Sequence, residues 1–166
     1  MDQLNVVSLS EAKLYLRLDE DYTIEDGLIT SLIKSAVNQA EQFTLQVLWQ
    51  RTLTAITPVS GLLKIYEYPI VSIETVVDPD LDALTFELVE TEGFTEVISG
   101  TSGFNTVTFV AGYGWNYEGG SDVPDDIETA IKEMIAYYYE NRDNSVVGMP
   151  TIATLLLSPY RRITLF

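Results

Sequence analysis

The apolar residues of this chain change their period twice, and that constrains its fold more than any other feature of its 166 residues. Up to about residue 50 they recur every three to four positions. Over residues 51–111 they alternate, and from Val123 the wider spacing returns. A three-to-four spacing lines one face of a helix, whereas alternation lines one face of a strand. The order predicts an α+β fold, mainly helical: a bundle of about four helices, two N-terminal and two C-terminal, with a small antiparallel β subdomain inserted in the middle. The implied division is a helical core from residues 1–49 and 122–166, ending in a C-terminal arm, and a β subdomain over 50–121.

Helix signals support the two outer parts. Ser8-Leu9-Ser10-Glu11 reads as a capping box. The short helix behind it has Leu9, Ala12 and Leu16 on one side and Lys13 and Arg17 on the other, before the acidic loop Asp19-Glu20-Asp21. A longer helix is predicted to begin at Thr23-Ile24-Glu25-Asp26. Its stripe is Ile24, Leu28, Leu32, Ala36, Ala40 and Phe43, flanked by Ile29, Ile33 and Val37. Ala36 and Ala40 allow a neighbouring helix to come close. That neighbour is predicted to be the helix opening at Val123-Pro124-Asp125-Asp126, with Ile127, Ala130, Ile131, Met134, Ile135 and Tyr138 on one face. Pro124 suits the first turn, and the acidic residues suit the positive end of the helix dipole. That helix should end near Asn141-Arg142. A short apolar piece at 151–157 follows, stopped by Ser158-Pro159.

The middle reads as six strands, at 52–57, 62–66, 70–77, 84–89, 95–98 and 105–111, punctuated by Pro58, Gly93, Gly100 and Gly103. Residues 112–121 read as a glycine-rich loop leading back to the helices.

Charge excludes several functions. The chain has 25 acidic and 9 basic residues, net −16. Binding nucleic acid through phosphates needs clustered Lys and Arg, so this chain does not coat DNA. With no His and no Cys it lacks the commonest general base, the commonest metal ligand and any disulfide or thiolate chemistry. No run of about 20 apolar residues predicts a membrane span, and the N-terminus lacks the basic and apolar regions of a signal peptide.

Candidate chemistry is thin. Asp78-Pro79-Asp80-Leu81-Asp82 resembles the start of a calcium loop, but Ala83 stands at the sharp turn and Val89 where the closing carboxylate belongs. Gly112-Tyr113-Gly114 has no phosphate-loop context. With 25 carboxylates, pairs arise by chance. The reading is no enzyme, no catalytic residue, no metal site and no cofactor. The opposing alternative, a small acidic metal-dependent enzyme, requires a pocket of converging Asp or Glu side chains.

The remaining candidates are contact residues. Three successive tyrosines, Tyr137-Tyr138-Tyr139, point in three directions around a helix, so Tyr137 and Tyr139, with Arg142, are candidates for an interface between copies. The C-terminal segment is aromatic, cationic and apolar where free tails are usually polar. Tyr160, Arg161, Arg162, Ile163, Leu165 and Phe166 are therefore candidate partner-binding residues, since Tyr, Phe and Arg anchor interfaces.

Several segments, in order, resemble the head–tail connector (adaptor, or head-completion) proteins of tailed phages. They include Val7-Ser8-Leu9-Ser10-Glu11-Ala12-Lys13, Asp26-Gly27-Leu28-Ile29, Tyr68-Pro69-Ile70-Val71-Ser72-Ile73 and Val107-Thr108-Phe109-Val110-Ala111-Gly112-Tyr113. Leu16-Arg17-Leu18-Asp19, Ser31-Leu32-Ile33-Lys34-Ser35-Ala36, Val123-Pro124 with Ile127, Ala130 and Ile131, Tyr138-Tyr139-Glu140-Asn141-Arg142 and Leu155-Leu156-Leu157-Ser158-Pro159-Tyr160-Arg161 complete the set. The segment from Arg162 to Phe166 is an extension beyond the family's usual end.

The resemblance implies a structural subunit of the virion head–tail joint, made in the bacterial host cytoplasm. It forms a ring, typically twelve-fold, that docks beneath the portal protein through its C-terminal arm and receives a stopper or tail-completion protein. Double-stranded DNA passes through the channel without specific binding, and no membrane is involved. A stopper or tail-completion protein is the nearest alternative. Twelve copies would carry roughly −192, of which only lumen charges within about 8 Å act on DNA. Mutual repulsion predicts a monomer or weak oligomer until the portal templates the ring.

Overall fold

A computed structural model describes residues 3–56, 62–90, 94–99, 104–114, 122–142 and 148–162. Among these, the chain forms four α-helices and six strands, the strands in two antiparallel three-stranded sheets. The fold is α+β. It divides into two compact units, one of Met1–Trp49 with Tyr113–Arg161 and one of Gln50–Gly112 with Arg162–Phe166.

In the first unit, α1 (Leu9–Tyr15) opens on the expected capping box. The Ser8 side chain accepts from the Glu11 N–H, and Glu11 accepts from the Ser8 N–H at 2.8 Å. Helix α2 (Asp26–Thr44) begins at the last residue of the predicted start, Thr23-Ile24-Glu25-Asp26. Ile24 lies outside it and is 85% exposed, because Glu25 takes the cap position. The buried stripe is therefore rotated toward Ile29, Ile33, Ala36, Val37 and Ala40. At its other end Leu45 adopts a left-handed conformation and its N–H donates to the Glu41 carbonyl.

Helix α3 (Asp125–Glu140) starts directly after Pro124 and buries Ile127, Ala130, Ile131, Met134 and Ile135. Helices α2 and α3 pack on each other, as the two stripes predict. Helix α4 (Thr151–Leu157) adds Ala153 and Leu157 to the same cluster, and a 3-10 turn, Ser158–Tyr160, closes the element. The helices that pack are α1 on α2 and α3, α2 on α3, and α4 on α3 and α2.

One residue departs sharply from the expected pattern. Lys13 is not on a solvent face: it is only 4% exposed. Helix α1 ends after two turns, and the chain curls back so that the Leu18 N–H donates to the Lys13 carbonyl. This brings the Glu20 carbonyl to 3.1 Å from the Lys13 ammonium, with Asp26 Oδ1 at 2.6 Å. Lys13 thus fastens α1 to the start of α2.

In the second unit, β6 (Thr106–Ala111) is the centre of one sheet, between β1 (Arg51–Ile56) and β3 (Ile70–Val77). Val107, Phe109 and Ala111 alternate inward, and Phe109 sits opposite Leu53 and Ile73. The other sheet has β5 (Thr95–Ser99) between β2 (Leu62–Ile65) and β4 (Phe86–Glu90), with Ile65 and Val97 buried. Alternation in the sequence marks each strand but not its partner, so the division into two sheets is new information.

Candidate functional site

Glu25 is the hub of the best-organised polar cluster. It accepts from the Tyr139 hydroxyl and takes the Arg142 guanidinium in a fork, with Nη1 at 2.7 Å and Nη2 at 3.4 Å. The Arg142 guanidinium also lies 4.1 Å from the Tyr139 ring centroid, and its Nε donates to the Tyr139 carbonyl. A planar guanidinium meets a carboxylate and an aromatic face together in a way lysine cannot. The cluster joins the start of α2 to the end of α3. Glu25 carried no sequence signal, since its partners lie more than a hundred residues away.

The Arg142 and Tyr139 hydrogen bonds hold the Glu25 carboxyl below its ordinary 4.5. A carboxylate with a lowered folded pKa stabilises the fold above its unfolded pKa and loses that contribution as pH falls through the folded value. Urea titrations of wild type and Glu25→Gln should therefore differ at neutral pH and converge in acid below 4.5. A gap that stays constant into acid would show that the charge on Glu25 is not what matters.

Tyr137, beside Tyr138 at 5.8 Å between ring centroids, is half-buried and donates no hydrogen bond from its hydroxyl among the described contacts. Tyr138 packs on the core, its hydroxyl donating to Gln39 Oε1 at 2.7 Å. Of the three candidate interface residues, Tyr139 and Arg142 are thus already engaged within their own chain, although the Arg142 side chain is 41% exposed.

The C-terminal segment is anchored rather than loose as far as it is described. The Tyr160 hydroxyl donates to Asp126 at 3.2 Å, and its carbonyl accepts from Gln46 Nε2 at 2.6 Å. Gln46 Oε1 in turn accepts from the Tyr113 hydroxyl at 2.7 Å. Arg161 is exposed, with its guanidinium 5.5 Å from the Phe43 ring centroid. In the second unit, Arg162 lies 4.2 Å from the Tyr68 ring centroid. Ile163, Leu165 and Phe166 lie outside the described residues.

The candidate ion loop is closed on itself. Asp78 Oδ1 accepts from the backbone N–H groups of Asp80 and Asp82, both at 2.9 Å, and Leu81 takes a left-handed conformation. Among the described residues no three acidic side chains gather as a metal cage, and no helix is long and apolar enough to cross a membrane.

No protein-family model matches this chain, and no curated protein matches it by sequence. Solved structures do match its fold. A chain in the neck of an empty gene transfer agent (GTA) particle, computed with C6 symmetry, aligns with a TM-score of 0.77 at 20% identity, over 97% of this chain and 92% of that one. A chain in the virion of a native GTA particle aligns at 0.74 and 19%, with the same coverage. A chain in the neck of a native GTA particle computed with C12 symmetry aligns at 0.71 and 18%, over 100% of this chain and 95% of that one. The likeness spans both units, and what it establishes is a shared fold.

Proposed function

We propose that this chain is a structural subunit of a phage-type head–tail neck, the adaptor that forms a ring beneath the portal. The observation that carries the reading is the fold match over nearly the whole chain to neck structures solved with six-fold and twelve-fold symmetry. The two long helices, α2 and α3, favour the ring subunit over a mostly β stopper or tail-completion protein. The role is structural, not catalytic. The ring lengthens the DNA channel, and its excess of carboxylates lets DNA slide without adhering.

In this reading the C-terminal arm meets the portal. Tyr160, Arg161 and Arg162 form its base, and Ile163, Leu165 and Phe166 its apolar end. The intramolecular bonds of Tyr160 aim the arm. Tyr137, Tyr139 and Arg142 stand at the end of α3 facing the next copy, with Glu25 fixing the last two from behind. Deleting residues 161–166, which keeps the anchored Tyr160, should leave the helical fold intact and abolish capture of the chain by purified portal rings in co-sedimentation. Undiminished capture by the truncated chain would remove the arm from the proposal.

A further inference from the structure

The β unit carries a concavity of about 230 Å³ that the chain's own C-terminal segment lines. Tyr68, just before β3, Ile70, which opens that strand, and Phe94, just before β5, supply apolar surface. Glu67, Glu90 and Arg162 also line it, so its charge is mixed. The Phe94 wall is held from its own side. Its ring centroid lies 5.7 Å from that of Tyr66, and the Lys64 ammonium stands 4.5 Å from it. Tyr68 is less covered and remains 45% exposed.

Arg162 indicates what fills the concavity. Its guanidinium lies 4.2 Å from the Tyr68 ring centroid and the residue is half-buried, whereas Arg161 before it is exposed. The residues that follow, Ile163-Thr164-Leu165-Phe166, therefore begin one peptide bond from a residue of the lining. Fully extended, four residues span at most about 14 Å, so all of them stay in its neighbourhood. Only Thr164 among them is polar. Placing Ile163, Leu165 and Phe166 against Tyr68, Ile70 and Phe94 removes apolar surface from water on both sides. A tethered segment also meets its site at an effective concentration on the order of millimolar, without the loss of freedom that a separate partner bears.

We propose that this concavity is the seat of the chain's own residues 163–166 before assembly, with Arg162 on Tyr68 as the fixed point from which they enter. Seating withdraws three apolar side chains that would otherwise add to the exposed apolar surface of the free subunit. A portal that takes the same side chains must first draw them out, so the free subunit holds its docking residues in reserve. That last step rests on the portal reading above, whereas the seat itself does not.

Nuclear magnetic resonance of the full-length chain without portal tests the seat. Nuclear Overhauser contacts are expected from the methyl groups of Ile163 and Leu165 to the rings of Tyr68 and Phe94. Isotope filtering of a mixture of labelled and unlabelled chains should show none of these contacts between copies. Tyr68→Ala, a change at an exposed side chain, should remove the contacts to Phe94 as well and leave the helical resonances in place. No contact from either methyl group to these rings, or contacts only to other parts of the chain, would overturn the seat. Contacts only between copies would overturn the chain's own segment as the occupant and put that of a second copy in its place. No portal enters these measurements, so they leave the portal reading to its own capture assay. In that assay Tyr68→Ala, with its segment released, should be captured at lower portal concentrations than wild type. Equal capture of the two, with the Overhauser contacts present in wild type, would overturn the holding in reserve and leave the seat standing.

Discussion

Ile131→Ala should destabilise the helical unit by about 2–5 kcal/mol, read as a lower urea midpoint of the helical circular dichroism. Ile131 is fully buried on α3, in a cluster with Ile29, Ile33 and Val37 of α2 and Ala153 and Leu157 of α4. Removing its outer carbons loses the transfer free energy of those atoms and leaves a cavity between helices held by their own packed faces. Ile131→Val should cost only about 0.5–1.5 kcal/mol, because it removes a single carbon. A graded series of valine then alanine is the signature of packing. Equal effects from the two variants would point to something other than volume at this position.

Asp26→Asn should cost about 3 kcal/mol, near the lower end for breaking a buried ion pair. The Lys13 side chain is 5% exposed, whereas Asp26 keeps 31%. Losing the carboxylate charge leaves a buried ammonium with neutral acceptors only, the Glu20 carbonyl and the amide oxygen of the new side chain. The opposite deletion, Lys13→Met, leaves a carboxylate that is partly hydrated, so it should cost less. The order of the two variants in urea titration is the check. A larger loss from Lys13→Met, which keeps an unbranched apolar stem, would mean that the ammonium's bond to the Glu20 carbonyl, and not its pairing with Asp26, holds α1. Helix α1 has seven residues, too few to persist without such anchoring. Asp26→Asn should therefore also loosen the face that carries Leu14.

The same residues show what the sequence discloses and what it conceals. Periodicity locates all four helices and all six strands, because each reports a local face. The strand at Ile70–Val77 matches residue for residue, and α3 buries the stripe its spacing demands. Helix α2 keeps its place but not its phase: Ile24, which extends the apolar pattern, is left outside by a cap residue committed to Arg142 and Tyr139. Lys13 reads as a surface charge until the return of the chain supplies both of its partners. Strand pairing is hidden for the same reason, since β6 and β5 each choose neighbours on both sides by burial across the sheet.

The candidate contact residues were legible as residue types and not as geometry. An aromatic and cationic tail is visible in the letters, but that Tyr160 is bound through both its hydroxyl and its carbonyl is not. Exposed apolar residues are not marked in the sequence: Leu155 stands in the same apolar run as buried Leu157, and only the completed packing shows it uncovered.

The central claim is that copies of this chain form a closed ring on a portal. Electron cryo-microscopy of the full-length chain mixed with the portal of its own particle tests it most directly. The account predicts a ring beneath the portal in which each helical unit touches two neighbours through different faces, with the C-terminal segment running to the portal. A two-fold dimer of this chain away from the portal, or a portal that carries no density for it, would contradict the account.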